Sequence, residues 1–195
     1  MSAIPETHRQ IVLASRPQGM VSEANFRLQE AAVPEPGPGQ VLVKQLYQSL
    51  DPYMRGRMND GPSYAPPVPI DGVMEAGGVG EIVASNHPDW KIGEIVEGRL
   101  GWQEYCVPPY QRLRKVDPGL APISTANGVL GMPGMTAYFG LLHVGLPQPG
   151  DTVVVSAASG AVGAVVGQIA RNMGCRTVGL VGSQAKADYI VDELG

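Results

Sequence analysis

Ala157, Gly160 and Gly163 stand three residues apart in Ala157-Ala158-Ser159-Gly160-Ala161-Val162-Gly163, directly after the run Val153-Val154-Val155-Ser156. Small residues follow the β-branched run, and the chain then opens into Ala164-Val165-Val166-Gly167-Gln168-Ile169-Ala170-Arg171. The pattern predicts a buried strand, a tight turn and the first turns of a helix. Such a turn leaves backbone N–H groups without intrahelical partners and aims them, with the positive end of the helix dipole, at whatever lies outside. The chemistry that suits is binding of a pyrophosphate. The dinucleotide fingerprint G-x-G-x-x-G stands here as A-x-x-G-x-x-G, with Ala157 in the first place. Gly160 would let the backbone approach the phosphates, Ala161 and Val162 would present N–H groups, and Gly163 would let the helix pack closely on the strand. Taken alone, the motif also fits an ordinary strand-to-helix turn with no ligand.

The elements around the turn bear on that choice. The helix stops at Met173-Gly174-Cys175, a second strand follows over 176–181, and Gly182-Ser183-Gln184-Ala185-Lys186 leads into another helical pattern through Tyr189, Ile190, Val191 and Leu194. This is βαβ order, the arrangement dinucleotide binding requires. NAD-binding chains carry an acid at the end of the second strand, about 20 residues past the glycine turn, for the ribose 2′-hydroxyl. Gly182 and Ser183 occupy that place, with Lys186 one helical turn beyond. An acid would repel a 2′-phosphate and a cation would attract it, so NADPH is the expected cofactor. Lys186 as a solvated helix lysine is the alternative.

Length and composition set the bounds. The 195 residues suffice for one large or two small domains, with ample material for a core. The formal charge of −4 gives no reason to expect nucleic acid or an anionic membrane as partner. The 26 glycines and 18 prolines suit a β-rich domain with many turns. Two cysteines, Cys106 and Cys175, far apart and in unlike contexts, argue against a disulfide framework and fit a reducing compartment. The first residues have no apolar signal-peptide core and no apolar run reaches 18 residues, so a cytoplasmic chain is expected.

Residues 9–120 alternate β-like runs with Pro/Gly punctuation. Strands are predicted over 10–14, 26–33, 41–46, 79–84, 94–100, 104–107 and 112–116, separated by stretches such as Pro34-Glu35-Pro36-Gly37-Pro38-Gly39. The spacing predicts a small antiparallel barrel. The texture changes near Pro122, with a short helix predicted from Ser124 and a second over 135–142 ending at Gly145. The expected boundary divides a domain of residues 1–122 from one of 123–195. A doubly wound domain has about six strands, and here two are followed by Glu193-Leu194-Gly195; the sequence reads as truncated.

Four segments carry a family resemblance: Ser49-Leu50-Asp51-Pro52-Tyr53-Met54-Arg55-Gly56-Arg57-Met58, Gly101-Trp102-Gln103-Glu104-Tyr105, Gly131-Met132-Pro133-Gly134-Met135-Thr136-Ala137-Tyr138-Phe139-Gly140 and Gly160-Ala161-Val162-Gly163. With the barrel and the A-x-x-G-x-x-G turn, the chain resembles the medium-chain dehydrogenase/reductase superfamily. Within it, the likeness is to the zinc-independent, NADPH-dependent double-bond reductases: prostaglandin, plant alkenal and bacterial curcumin reductases. The resemblance implies a mixed α and β chain, a GroES-like barrel followed by the first βαβα part of a Rossmann domain. It implies reduction of the C=C bond of α,β-unsaturated aldehydes or ketones, small-molecule substrates, and a homodimer when full length. A quinone reductase of the same superfamily is the alternative, as is a truncated, catalytically silent dinucleotide-binding fragment.

Zinc independence also follows from the residues. A catalytic zinc takes three protein ligands and a structural zinc usually four cysteines. Two cysteines exclude the second, and His8, His87 and His143 fall in a tail, a Pro-flanked loop and a helix end. No metal site is expected. Conjugate reduction moves negative charge onto the carbonyl oxygen, which the protein must stabilise with a hydrogen bond. The resemblance gives that role to Tyr53, with the family's other active-site tyrosine falling beyond residue 195; a ring merely packed beside the site is the alternative. The resemblance also lays Met132 and Thr136 along the nicotinamide, where the Thr136 hydroxyl would bond the carboxamide; helix N-capping or local packing is its alternative. Arg55 is expected in a structural ion pair, Trp102 and Tyr105 in the barrel core, and Cys106 as a small buried hydrophobe.

Overall fold

A computed structural model describes residues 3–195. Its contacts divide into two compact units, the first ending at Ser124 and the second running Thr125–Gly195.

In the first unit, β1 (Thr7–Leu13) and β2 (Phe26–Ala32) form an antiparallel hairpin. The strands β3 (Val41–Gln48), β4 (Gly77–Ser85), β5 (Ile95–Arg99), β6 (Tyr105–Cys106) and β7 (Arg114–Lys115) form a second antiparallel sheet in the order β6-β3-β4-β5-β7. The hairpin is stitched to the sheet by backbone bonds. Ile11 N–H donates to the Trp102 carbonyl at 2.8 Å and Glu104 N–H to that of Arg9 at 3.1 Å, while Met74 N–H reaches Ile11 at 3.0 Å. The result is a partly open barrel, the antiparallel domain the sequence implies. Its strand ends differ from the expectation: β7 keeps two residues because a 3-10 turn over Tyr110–Arg112 takes the rest.

Alternation builds two cores. Val41, Val43, Ile82, Val96, Leu100 and Cys106 pack on one side. Leu13, Met58, Val68 and Met74 form the other, with Phe26 and Trp102 stacked against them at 5.3 Å between ring centroids. Tyr105 is buried, and burial pushes the Cys106 thiol up to about 12, which leaves it a neutral hydrophobe.

His8 corrects the sequence reading, which put it in a tail. It lies in β1, buried, and its Nδ1 accepts the Tyr105 N–H at 3.3 Å. Burial lowers its pKa below the ordinary 6.5, against a smaller opposing effect of Glu104. The unfolded chain therefore takes up this proton first, and stability present above pH 6.5 is lost as pH falls through the lower folded value. Melting followed from pH 7.5 to 5 should show a declining midpoint that His8→Asn, whose side-chain oxygen can still accept the Tyr105 N–H, flattens. An equally steep decline in His8→Asn would remove His8 as the cause. The carboxylates with lowered pKa, Glu75, Glu94 and Glu104, contribute their loss below about pH 4.5, outside this window.

In the second unit, β8 (Thr152–Ser156) and β9 (Arg176–Leu180) run parallel and in register, joined by α3 (Gly163–Asn172). Leu141, Ala170 and Cys175 centre its core, with Val153, Val166 and Ile169 around them. β8 was expected to be buried, yet Val154 is 60% exposed, because among the described residues only β9 pairs with β8 and α3 covers one face. Before β8 come a 3-10 turn (Ile123–Asn127), α2 (Met132–Phe139) and a π-helical turn (Gly140–Gly145). α2 starts three residues ahead of the expected position, with Pro133 in its first turn, where its missing N–H costs nothing. α4 (Gln184–Asp188) follows β9 and passes into a second π-helical turn, Tyr189–Glu193.

Candidate functional site

The turn between β8 and α3 is built on an unusual backbone. Ala157 has φ of +49°, the left-handed region, which costs a non-glycine residue roughly 1–2 kcal/mol. The bend turns the Ala157 carbonyl inward, where it accepts the Gly160 N–H at 2.9 Å. Ala164 N–H then bonds the Gly160 carbonyl at 2.8 Å and starts the helix. The N–H groups of Ala161, Val162 and Gly163 have no acceptor among the described residues. They are the free donors at a helix start that an anion can satisfy.

The two glycines of the turn stand in different surroundings. A Cβ at Gly163 would collide with the Ala157 carbonyl oxygen and lie 3.0 Å from Ala158 Cα, so the close approach of helix to strand admits no side chain. A Cβ at Gly160 would meet only the Ala157 carbonyl oxygen, at 3.1 Å, and Gly160 is exposed. The protein itself leaves nearly open space for a side chain at 160.

Gly160 shares an open pocket of about 360 Å³ with Ala157, Ser159, Leu180, Val181, Gly182 and Lys186. The end of β9 thus meets the turn, and Lys186 lines the same space with no carboxylate among the lining residues. Ser183 caps α4 by accepting the Lys186 N–H at 3.4 Å, fixing the start of the helix that carries the lysine. A pyrophosphate against the turn and a further phosphate near Lys186 are both compatible with these donors. Met132 and Thr136 lie one turn apart on α2, which packs on α3, and both are exposed. The N-cap of α2 is Gly131, so N-capping does not explain Thr136; its hydroxyl bonds the Met132 carbonyl at 2.7 Å.

Tyr53 lies in the first unit, at the start of α1 (Tyr53–Arg57). The side chain is half-buried, and its hydroxyl has no hydrogen-bond partner among the described residues. Burial first, then the Asp51 charge, holds the phenol above its usual 10, so it keeps its proton across the physiological range. Below α1, an apolar pocket of about 390 Å³ is lined by Phe26, Met54, Met58, Met74 and Trp102.

Arg55 corrects the sequence reading, which gave it an ion pair. It donates instead to the Gly19 carbonyl at 2.7 Å and to Asn59 Oδ1 at 2.5 Å. The ion pair belongs to Arg57, whose Nε and Nη2 reach the two Glu75 carboxylate oxygens at 2.9 and 3.1 Å. Sequence reading passed over this pair because its members lie 18 residues apart; the one available signal is the Tyr53–Arg57 spacing of four on a helix. No group of three or more His, Cys, Asp or Glu placed to hold a metal occurs among the described residues.

A partly open antiparallel barrel followed by a βαβ unit with an N–H-lined turn is the plan of the medium-chain dehydrogenase/reductases. Residues 9–116 match the model of the family described as the N-terminal domain of oxidoreductase, and the chain belongs to that family. It is 52% identical over 190 residues to an NADPH-dependent curcumin reductase of Escherichia coli (strain K12), covering 97% of this chain and 55% of that protein. It is 42% identical over 199 residues to a 2-alkenal reductase (NADP(+)-dependent) of Nicotiana tabacum, covering 97% of this chain and 57% of that one. Among solved structures, CurA of Vibrio vulnificus in complex with NADPH superposes with a TM-score of 0.91 at 48% identity, over 96% of this chain and 56% of that one. The chain spans about half the length of the curated relatives it matches.

Proposed function

We propose that the protein is a zinc-independent, NADPH-dependent reductase of the C=C bond of α,β-unsaturated aldehydes and ketones. One observation carries the reading: Gly160 of the glycine turn and Lys186 line the same pocket, with no carboxylate among its lining residues. The names of the relatives, curcumin reductase and alkenal reductase, support the substrate class.

In this reading Ala161, Val162 and Gly163 hold the pyrophosphate with backbone N–H groups, and Lys186 pairs with the 2′-phosphate. Met132 and Thr136 flank the nicotinamide, and the Thr136 hydroxyl can accept or donate there beside its bond to Met132. NADPH, when bound, supplies the hydride. Tyr53 donates its hydroxyl proton in a hydrogen bond to the substrate carbonyl oxygen, strengthening as negative charge develops on it. The raised phenol pKa keeps that donor protonated.

The partners this chemistry calls for are small enones and enals; the family relation adds a homodimer for a complete chain, and the reading places it in the cytoplasm. Both unpaired cysteines are buried, and no helix among the described residues is long and apolar enough to cross a membrane.

The test is cofactor oxidation by the complete protein with an enone, with a quinone and with no acceptor. Oxidation of NADPH with the enone well above the other two is expected. A charge-assisted contact is worth roughly 1.5–3 kcal/mol, so Lys186→Ala should weaken NADPH about tenfold or more and leave NADH nearly unchanged. Preference for the quinone would replace the substrate class, and equal losses for both cofactors would remove the role of Lys186.

A further inference from the structure

α1 cannot orient Tyr53 by itself. Five residues make little more than one turn, below the length at which an isolated helix persists. Gly56 weakens it further, and Pro52 offers no side-chain cap. The helix must be held from outside, and two of its faces are. Met54 and Met58 are buried on one side. Tyr53 and Arg57, four residues apart, share another.

Arg57 is 3% exposed. Its guanidinium forks onto Glu75, just before β4, and its remaining donors bond the Ala65 and Pro66 carbonyls. The Tyr64 ring lies with its centroid 6.0 Å from the guanidinium carbon. The Arg57 carbonyl accepts the Val68 N–H at 2.8 Å. One side chain thus ties α1, the 64–68 segment and the foot of β4 together. A buried arginine with four hydrogen bonds to three partners is a rigid strut, because the planar group must satisfy several acceptors at once.

We propose that Arg57 is a positioning residue for Tyr53: it locks the short helix that carries the phenol, and it pairs the Glu75 carboxylate just before β4. The catalytic meaning of this role rests on the enone-reductase reading, while the structural link does not. The charges that act on Tyr53 are Asp51 and Glu75, which raise its pKa, and Arg99, which lowers it, with Tyr64 adding a smaller upward effect. Glu75 is itself held below the usual carboxylate range by its bond to Arg57. Without Arg57 the Glu75 carboxylate would stand unpaired, and its charge would oppose ionisation of the phenol more strongly.

The link is read by titrating Tyr53 through its ultraviolet difference spectrum, with Tyr53→Phe as the blank, in the complete protein. Arg57→Met should move the titration to higher pH, and Arg57→Met with Glu75→Gln should bring it back. In the same variants, turnover of an enone with NADPH should fall about tenfold or more in Arg57→Met, with cofactor affinity unchanged. Arg57→Lys keeps the charge but not the fork, so it should restore the titration and only part of the turnover. An unmoved or lowered Tyr53 titration in folded Arg57→Met overturns the proposal. Should Arg57→Met fail to fold, Arg57→Lys decides, since full turnover there would show that the fork positions nothing. Full turnover in Tyr53→Phe would sink the enone-reductase role of Tyr53 instead, while the titrations still test the link to Arg57.

Discussion

Gly160→Val should lower NADPH affinity by at least about 100-fold while the protein stays folded. Each factor of ten corresponds to about 1.4 kcal/mol, and a branched side chain in the space of a pyrophosphate readily costs two such factors. The fold has little to lose, because a Cβ at 160 meets only the Ala157 carbonyl oxygen, at 3.1 Å, and the backbone there is not left-handed. Gly163 supplies the contrast. Valine at 163 would drive into the Ala157 carbonyl and the strand beneath, so that variant should lose stability as well as binding. Titration calorimetry paired with thermal melts separates the two. Undiminished NADPH affinity in Gly160→Val would make the turn a structural feature with no ligand.

Tyr53→Phe should reduce turnover of an enone by roughly 100- to 1,000-fold, the range spanned by losing one donor to a developing oxyanion. The affinity for NADPH should hardly change, since the hydroxyl acts on the transition state. The ring remains to pack and no partner inside the protein loses a hydrogen bond, so stability should be preserved. The pH profile carries a second check. Burial and Asp51 hold the phenol above 10, so Tyr53 should impose no fall in rate between pH 6 and 9. A wild-type turnover number in Tyr53→Phe would reduce the residue to packing.

The barrel strands were legible because they alternate: Val41, Val43, Ile82 and Val96 announce an inward face before any coordinate is known. The β8–α3 turn was legible because its small residues follow a β-branched run without a break. Other features left weaker traces. His8 looked like part of a tail because the polar run Glu6-Thr7-His8-Arg9-Gln10 precedes the first apolar pair, Ile11-Val12, although the hairpin register carries the strand back to Thr7. Pro133 marked the true start of α2, but the run from Met135 to Leu142 is the more conspicuous pattern. The Arg57–Glu75 pair left no trace beyond the Tyr53–Arg57 spacing, because the loop that brings Glu75 to it has no periodicity. Basic residues two apart on a short helix gave no basis for choosing Arg57 over Arg55.

Ala157 holds a left-handed backbone with a side chain attached, where the usual fingerprint has a glycine. Glycine at this position would relieve the steric cost, but it would also widen the range of shapes open to the loop. Alanine itself prefers negative φ, so the shape is held by the structure around it, the Gly160 N–H bond to the Ala157 carbonyl included. The cradle is therefore cast before anything enters it, and a phosphate arriving there need not first quiet a loose hinge.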